Sequence, residues 1–233
     1  MKILYLYFSL PHYRYAQLNT CFSKFHRQRL QQWPSLKLLI KSYPNAIVKQ
    51  SKPFSLEDIQ KFIRYNFDDH FYLVRQAIAA VAYCGGLRMI EVKNMKIENL
   101  IRTESGYSVS HIGAKQRNEI TTRRFIIPHD EEMPYAQRLD QYLAKLKEET
   151  NVITGELVRG TCGGKRFTKT PMGKSLLYIV GVDIARWLEL PEPERFSGHT
   201  FRRSAATNAA ANLATPSVMQ KHFGWADPKT ALR

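Results

Sequence analysis

The chain has 233 residues and carries 35 lysine and arginine residues against 20 aspartate and glutamate residues, a formal net charge of +15. This length can bury the core of one large or two modest domains. The charge favours nucleic acid as a partner over the alternative of a merely soluble basic protein. No apolar run approaches the length of a membrane span, and no basic amphipathic helix has a bulky apolar face, so we exclude a membrane partner.

The cysteines indicate an intracellular protein. Cys21, Cys84 and Cys162 are odd in number and widely spaced, which is typical of reduced thiols, and they lack the spacing of metal ligands. The apolar start of the chain is followed by residues 11–14, which offer no small-residue cleavage site, so we exclude a signal peptide. We expect the nucleus if the source is eukaryotic and the cytoplasm otherwise.

Three regions follow one another along the chain. Residues 1–46 are predicted to form a partial helical segment, with a basic helix over residues 15–31. This segment contains too little apolar material for an independent core. Residues 47–53 are predicted to be an exposed linker and a domain boundary. Residues 54–233 then form the main domain.

Two helices open the main domain. Ser55 and Asp58 form a near capping box at a helix start, and apolar residues follow at helical spacing. A second, apolar helix is predicted over residues 71–83. It ends at Gly85-Gly86, where the chain must turn.

An arginine and a glutamate follow this turn. Arg88 and Glu91 lie three residues apart, so the carboxylate can hold the guanidinium group in place. A surface ion pair is the commoner explanation of such a spacing. We expect Leu87, Ile90 and Val92 to face the core.

Two strands and two helices are predicted next. Residues 107–112 and 123–127 alternate in polarity and indicate strands, and residues 113–118 form a basic turn between them. Amphipathic helices are predicted over residues 133–150 and 172–190, the second packing through Leu176, Ile179, Val180 and Ile184. The glycine-rich basic stretch 161–166 lacks the ending of a phosphate-binding P-loop, so we interpret it as a loop near a nucleic acid.

His199 and Arg202 stand at a predicted helix start. If the helix begins near Thr200, both side chains lie over its first turn, where free backbone N–H groups favour an anion. A guanidinium and an imidazole added there can clamp a phosphate. Taken alone, a helix-capping histidine and a solvated arginine are the more common explanation. A short helix begins at Thr215-Pro216 and ends at Gly224, and residues 227–228 open another.

Several of these motifs together resemble those of the tyrosine recombinases, also called phage-type integrases. The residues that carry the resemblance are Arg88 with its acidic partner Glu91, the His199-x-x-Arg202 box and the Gly224-Trp225 step. The resemblance covers residues 54–233, the catalytic domain, and is greatest to the mobile-element branch with Gly-Trp. It implies a mainly helical fold with a small antiparallel sheet, and residues 1–46 as part of a core-DNA-binding segment.

The resemblance also implies a chemistry, in which a tyrosine attacks a DNA phosphate and no metal or cofactor takes part. Arg88 and Arg202 stabilise the charge on the phosphate oxygens, and His199 assists proton transfer. Trp225 donates its indole N–H or simply packs, and His222 is an alternative donor. Lys115 matches the family's proton donor, with Arg117 as the local alternative. The residues expected at the DNA are Arg117, Lys165, Arg166 and Arg203.

The resemblance places the attacking tyrosine just after Arg233. We therefore expect a catalytic domain truncated at its C-terminus and an inactive fragment of an enzyme that recombines or integrates DNA at specific sites. The full-length protein would be a homo-oligomer, a tetramer on double-stranded DNA. The alternatives are a catalytically silent DNA-binding protein derived from a recombinase, a type IB topoisomerase and a basic structural or RNA-binding protein.

Overall fold

The computed structural model describes residues 50–112 and 122–225. The chain divides into two units, Met1–Gln50 and Ser51–Arg233, and the second contains every described residue but one. The predicted helix over residues 15–31, the basic turn over residues 113–118 and the helix start at residues 227–228 lie outside the described residues.

The second unit is mainly helical. Its described part contains eight α-helices: α1 (Leu56–Arg64), α2 (His70–Cys84), α3 (Met89–Lys93), α4 (Tyr135–Thr150), α5 (Lys174–Tyr178), α6 (Val180–Trp187), α7 (Thr200–Ala211) and α8 (Pro216–Phe223). Five strands form two antiparallel sheets: β1 (Leu100–Thr103), β2 (Gly106–Ile112) and β3 (Thr122–Pro128) in one, and β4 (Arg159–Cys162) and β5 (Arg166–Pro171) in the other.

Helix α2 is the centre of the core because it has no polar face. It is buried from Leu73 to Ala82, and α1, α3, α4, α7 and β3 all pack around it. Its first turn is capped by Asp69, which accepts a hydrogen bond from the Phe71 N–H at 2.5 Å. Gly85 caps its other end. The position of this helix therefore fixes where the Gly85-Gly86 turn lies.

The predicted local signals at the helix ends are confirmed. Ser55 and Asp58 form a capping box at the start of α1, with both hydrogen bonds at 3.0 Å. Thr215 caps α8, and Gly224 ends it in the left-handed conformation at φ 60°. Each of these helix ends is fixed by residues within a few positions of one another, so the spacing in the sequence is enough to predict them.

The three-stranded sheet has the order β1-β2-β3. The two predicted strands are confirmed as β2 and β3, and His111 pairs with Arg123 across them. Phe125 and Ile127 alternate into the core while Ile126 is exposed. Strand β1 was not predicted, since its four residues are mostly exposed and show no alternation.

The structure corrects three sequence expectations. The helix predicted over residues 172–190 is broken at Ile179 into α5 and α6. Consequently Leu176 and Ile179 are 53% and 42% exposed instead of packing in the core, because the two short helices do not share one face. Ile90 is likewise exposed, since α3 is a single short turn that buries Met89 and Val92. The basic stretch 161–166, predicted to be a loop, has Thr161 and Cys162 in β4 and Arg166 in β5, with the hairpin turn between them.

No helix within residues 50–112 and 122–225 is long and apolar enough to cross a membrane.

Replacing Gly86 by alanine is expected to destabilise the fold more than the same change at Gly163. Both residues have positive φ, 53° and 59°, so each variant carries a backbone strain of about 1 kcal/mol. A methyl group at Gly86 would also overlap the buried ring of Phe223, whereas nothing lies near Gly163. This overlap adds about 1–3 kcal/mol.

Urea unfolding of the two variants measures the difference. Equal losses in the free energy of unfolding would show that Phe223 does not pack against this turn.

Candidate functional site

The Gly85-Gly86 turn delivers Arg88 to the start of α3. Glu91 fixes it from one turn further on: its Oε2 accepts the Arg88 backbone N–H at 2.7 Å, and its Oε1 accepts Nη1 at 3.2 Å. The Glu91 side chain is 5% exposed, whereas that of Arg88 is 37% exposed. The pair therefore consists of a buried carboxylate and a guanidinium that still reaches solvent.

Helix α7 brings the second arginine to the same turn. His199 is the residue before its first turn and is exposed, while Arg202 is buried. Arg202 donates from Nη1 to the Gly86 carbonyl oxygen at 2.8 Å and from Nη2 to the Phe223 carbonyl oxygen at 2.5 Å. Arg202 thus links the start of α7 to the turn and to the end of α8.

A third arginine reaches the site from the sheet. Arg123 of β3 donates from Nη2 to the carbonyl oxygens of Gly85, at 3.0 Å, and of His222. Its Nη1 lies 3.9 Å from Oε2 of Glu91. Sequence analysis missed this role. The only signal is the alternation of β3, which puts Arg123 on the same face as the buried Phe125 and Ile127.

The charges of these groups act on one another. The pKa of His199 is lowered by loss of hydration and by the positive charges of Arg88, Arg202 and Arg203. Burial lowers the pKa of Arg202 to about 10, with Arg88 and Arg123 adding to the effect and Glu91 opposing it. Arg88, His199 and Arg202 therefore lie close enough to affect one another's charge, around the turn to which Arg202 is bonded.

Two further histidines border this cluster. Burial lowers the pKa of His111, whose Nε2 is enclosed without a hydrogen-bond partner. Burial also lowers the pKa of His222, and Arg123 lowers it further. Both rings therefore favour the neutral form at neutral pH.

Trp225 lies beside Arg202 and is half-buried. Its ring stacks on Phe223, with centroids 4.8 Å apart, and lies 5.8 Å from Cζ of Arg202. The stacking on Phe223 agrees with a packing role for Trp225. The position beside Arg202 also keeps the indole close to the candidate site.

Of the other site residues predicted from sequence, one lies at the cluster, two lie away from it and two are outside the described residues. Arg203 is half-buried and close enough to act on His199. Lys165 and Arg166 are exposed on the β4–β5 hairpin, whose turn meets the first residue of α2 through the His70 N–H and the Gly164 carbonyl oxygen at 3.2 Å. The Gly85 end of this helix is about 20 Å away, so the two are not part of the cluster. Lys115 and Arg117 lie outside the described residues.

No group of three or more histidine, cysteine, aspartate or glutamate residues within residues 50–112 and 122–225 is placed to hold a metal ion. The cluster instead offers guanidinium and imidazole donors around a half-open surface. Such donors match the oxygens of a phosphate group.

Comparison with known proteins identifies a family. The profile described as the phage integrase family matches residues 52–233. A search of curated proteins found no match.

Solved structures share the fold. XerA recombinase is 19% identical with a TM-score of 0.58, covering 83% of this chain and 61% of that one. XerH recombinase bound to its difH substrate is 17% identical with a TM-score of 0.56, covering 81% and 52%. The Tn1549 transposon integrase with transposon right end DNA is 16% identical with a TM-score of 0.55, covering 96% and 75%.

At these identities the likeness establishes the fold, which confirms the expected mainly helical catalytic-domain fold with a small antiparallel sheet. The chain spans about half the length of the XerH chain, 52% of it.

Lowering the pH from about 7.5 to about 5.5 is expected to lower the free energy of unfolding. The pKa values of His111, His199 and His222 are depressed in the folded protein, whereas histidines in an unfolded chain titrate near pH 6.5. The unfolded state therefore binds more protons as the pH falls through about 6.5, and stability is lost in that window. Carboxylates with a lowered pKa, such as Glu149, lose their contribution only at lower pH.

Urea unfolding across this pH range measures the effect. The variant His111→Gln should reduce the pH dependence because it removes the most buried of the three rings, and the exposed His129→Gln serves as the control. An unchanged pH dependence in His111→Gln would contradict this account.

Proposed function

Since the chain belongs to the phage integrase family, we propose that it serves site-specific DNA recombination or integration by cleaving and rejoining a DNA strand through a tyrosine–phosphate link. One observation carries the proposal. Arg88, His199 and Arg202 come from two distant segments and meet at the Gly85-Gly86 turn, with their charges acting on one another. A single phosphate group is the ligand that such a cluster fits.

The two arginines have different parts in this proposal. Arg88 is held at one edge by Glu91 and exposes the rest of its guanidinium, so it can meet a phosphate that arrives from solvent. Arg202 uses two of its N–H groups on backbone carbonyls, which leaves the others for the phosphate. Because both groups are fixed before the substrate binds, they stabilise the negative charge of the transition state without first reorganising.

His199 supplies an adaptable donor. Its lowered pKa favours the neutral ring, which can give or accept a proton as the tyrosine attacks phosphorus and the bond to the 5′ oxygen breaks. We assign the proton for the leaving 5′ oxygen to Lys115, on its match to the family motif. Trp225 next to Arg202 is placed to complete the phosphate contacts through its indole N–H.

Double-stranded DNA is the proposed partner. The net charge of +15 provides the sequence-independent attraction to the backbone. Among the structural neighbours, the Tn1549 integrase is in complex with transposon right end DNA and XerH is bound to its difH substrate, which supports the same partner here. Oligomerisation on DNA, as a tetramer, is part of the proposal.

We assign the nucleophile to none of the described tyrosines. Burial raises the pKa of Tyr72, Tyr83, Tyr107, Tyr135 and Tyr142, so their hydroxyl groups hold their protons more firmly than usual. Tyr65 is exposed at the end of α1, with its ring against those of Phe67 and Trp187. Tyr178 packs its ring against Gly198, where a Cβ atom would lie 2.7 Å from the ring. Packing accounts for both positions.

DNA affinity should depend steeply on salt and on Arg88. We expect the binding constant for a random-sequence duplex to fall steeply with salt through counterion release. Arg88→Ala should weaken binding about three- to tenfold and reduce the slope of log K against log salt by about one, since it removes one phosphate contact. Fluorescence anisotropy at several salt concentrations measures both quantities.

The control is Arg186→Ala, which removes an equally charged group. Arg186 is 64% exposed on α6 and lies 3.9 Å from Asp183, and it is not among the charges that act on His199 or Arg202. A flat salt response would contradict DNA as the partner, and equal effects of the two substitutions would contradict the assignment of Arg88.

A nicked suicide duplex tests the chemistry. Peptide mapping of any trapped covalent adduct should locate the link outside the described tyrosines, and Tyr178→Phe should leave the yield of adduct unchanged. A link at Tyr178 would overturn this assignment, and relaxation of supercoils without strand exchange would indicate the topoisomerase alternative.

A further inference from the structure

Two arginines fasten the end of α8 to the Gly85-Gly86 turn. Arg123 bridges the carbonyl oxygens of Gly85 and His222. Arg202 bridges the next carbonyl oxygen on each side, those of Gly86 and Phe223. We name this pair of bridges, made by Arg123 and Arg202 between residues 85–86 and residues 222–223, the arginine clasp.

We infer that Arg123 is a positioning residue of the phosphate site. It holds the end of α8, and with it Trp225, against the turn that leads into Arg88, and it balances the buried carboxylate of Glu91. This inference rests on the proposed function for the part that concerns DNA. It assigns a role to a strand residue that lies outside the arginine, histidine and tryptophan motifs.

The first argument is that Arg123 binds carbonyl groups at two helix ends, where they have no partner within the helix. The last carbonyls of a helix have no partner within the helix and carry the negative end of its dipole. Gly85 ends α2, and His222 lies in the last turn of α8. A guanidinium group shared between the two satisfies both helix ends, so Arg123 joins the helices through their backbones.

The second argument is the weakness of α8 by itself. This helix has eight residues and buries only Met219 and Phe223, while Val218 is 59% exposed. A helix of this length is marginal without tertiary contacts. The clasp therefore contributes a large share of what fixes its end, and Gly224 and Trp225 follow directly after it.

The third argument is the burial of Arg123. Its side chain is 12% exposed, against 37% for Arg88. Its Nη2 donates to two carbonyl oxygens and its Nε is enclosed, so these N–H groups point into the protein and not toward DNA. Its Nη1 lies 3.9 Å from the oxygen of Glu91 that also accepts the Arg88 backbone N–H. Any effect of Arg123 on a bound phosphate must pass through Arg88, Arg202 or Trp225.

The neighbouring residue offers a matched control. Arg124 follows Arg123 on β3 but faces the opposite side of the strand and is exposed. The variants Arg123→Gln and Arg124→Gln remove the same charge one residue apart. Arg123→Lys keeps the charge, and its single ammonium group can satisfy only part of the clasp.

Hydrogen exchange tests the clasp without DNA. In Arg123→Gln we expect the amides of residues 219–225 to exchange about tenfold faster or more, because the end of α8 opens locally, while the amides of α4 stay protected. Arg123→Lys should be intermediate and Arg124→Gln unchanged. Equal exchange of residues 219–225 in Arg123→Gln and Arg124→Gln would overturn the clasp, and if Arg123→Gln does not fold, Arg123→Lys against Arg124→Gln makes the same comparison.

A double-mutant cycle tests the link to the phosphate site. We expect Arg88→Ala to weaken binding of a random duplex about three- to tenfold and Arg123→Gln to weaken it by no more than that. The double variant should be no weaker than the worse single variant, because both act at one contact. Strictly additive losses would overturn positioning through Arg88. If Arg88→Ala leaves affinity unchanged, the proposed function fails, and hydrogen exchange still decides the clasp.

Discussion

The buried carboxylate of Glu91 is the constraint on which the site depends. A carboxylate that is 5% exposed is costly unless hydrogen bonds and opposite charges surround it. Here it accepts the backbone N–H of Arg88, pairs with the Arg88 guanidinium and faces Arg123. These contacts fix the first turn of α3 and the direction of Arg88 together. Removing either arginine would leave a buried charge with too few partners.

One carboxylate does not neutralise three guanidinium groups. Burial lowers the pKa of Arg123 and of Arg202, and the positive charge of Arg88 lowers both further. Helix-end carbonyls absorb part of the excess, since they carry partial negative charge. The positive charge that is left uncompensated lies at the exposed side of Arg88 and beside His199. A site built with surplus positive charge is prepared for an anion before the anion arrives.

The features that sequence analysis predicted correctly are those set by residues close together in the chain. The capping box of α1, the cap of α8 at Thr215 and the Arg88–Glu91 pair all act within a few residues. Arg123 was missed because its partners lie 38 and 99 residues away, and no spacing rule connects them. The break at Ile179 was also missed, and a long-range contact lies next to it. Gly181 packs so closely on the Phe196 backbone that a Cβ atom would overlap it, a tertiary constraint that helical spacing does not reveal.

The site exists only in the folded domain, because its parts come from the α2–α3 turn, β3, the start of α7 and the end of α8. An anion held there binds the native state and not the unfolded chain, so it must stabilise the fold by mass action. The same linkage acts on α8, the least buried of the contributing elements. A phosphate held by Arg202 would stabilise the same guanidinium group that already binds the Phe223 carbonyl oxygen. Binding at the proposed site would therefore also strengthen the attachment of the α8 end to the Gly85-Gly86 turn.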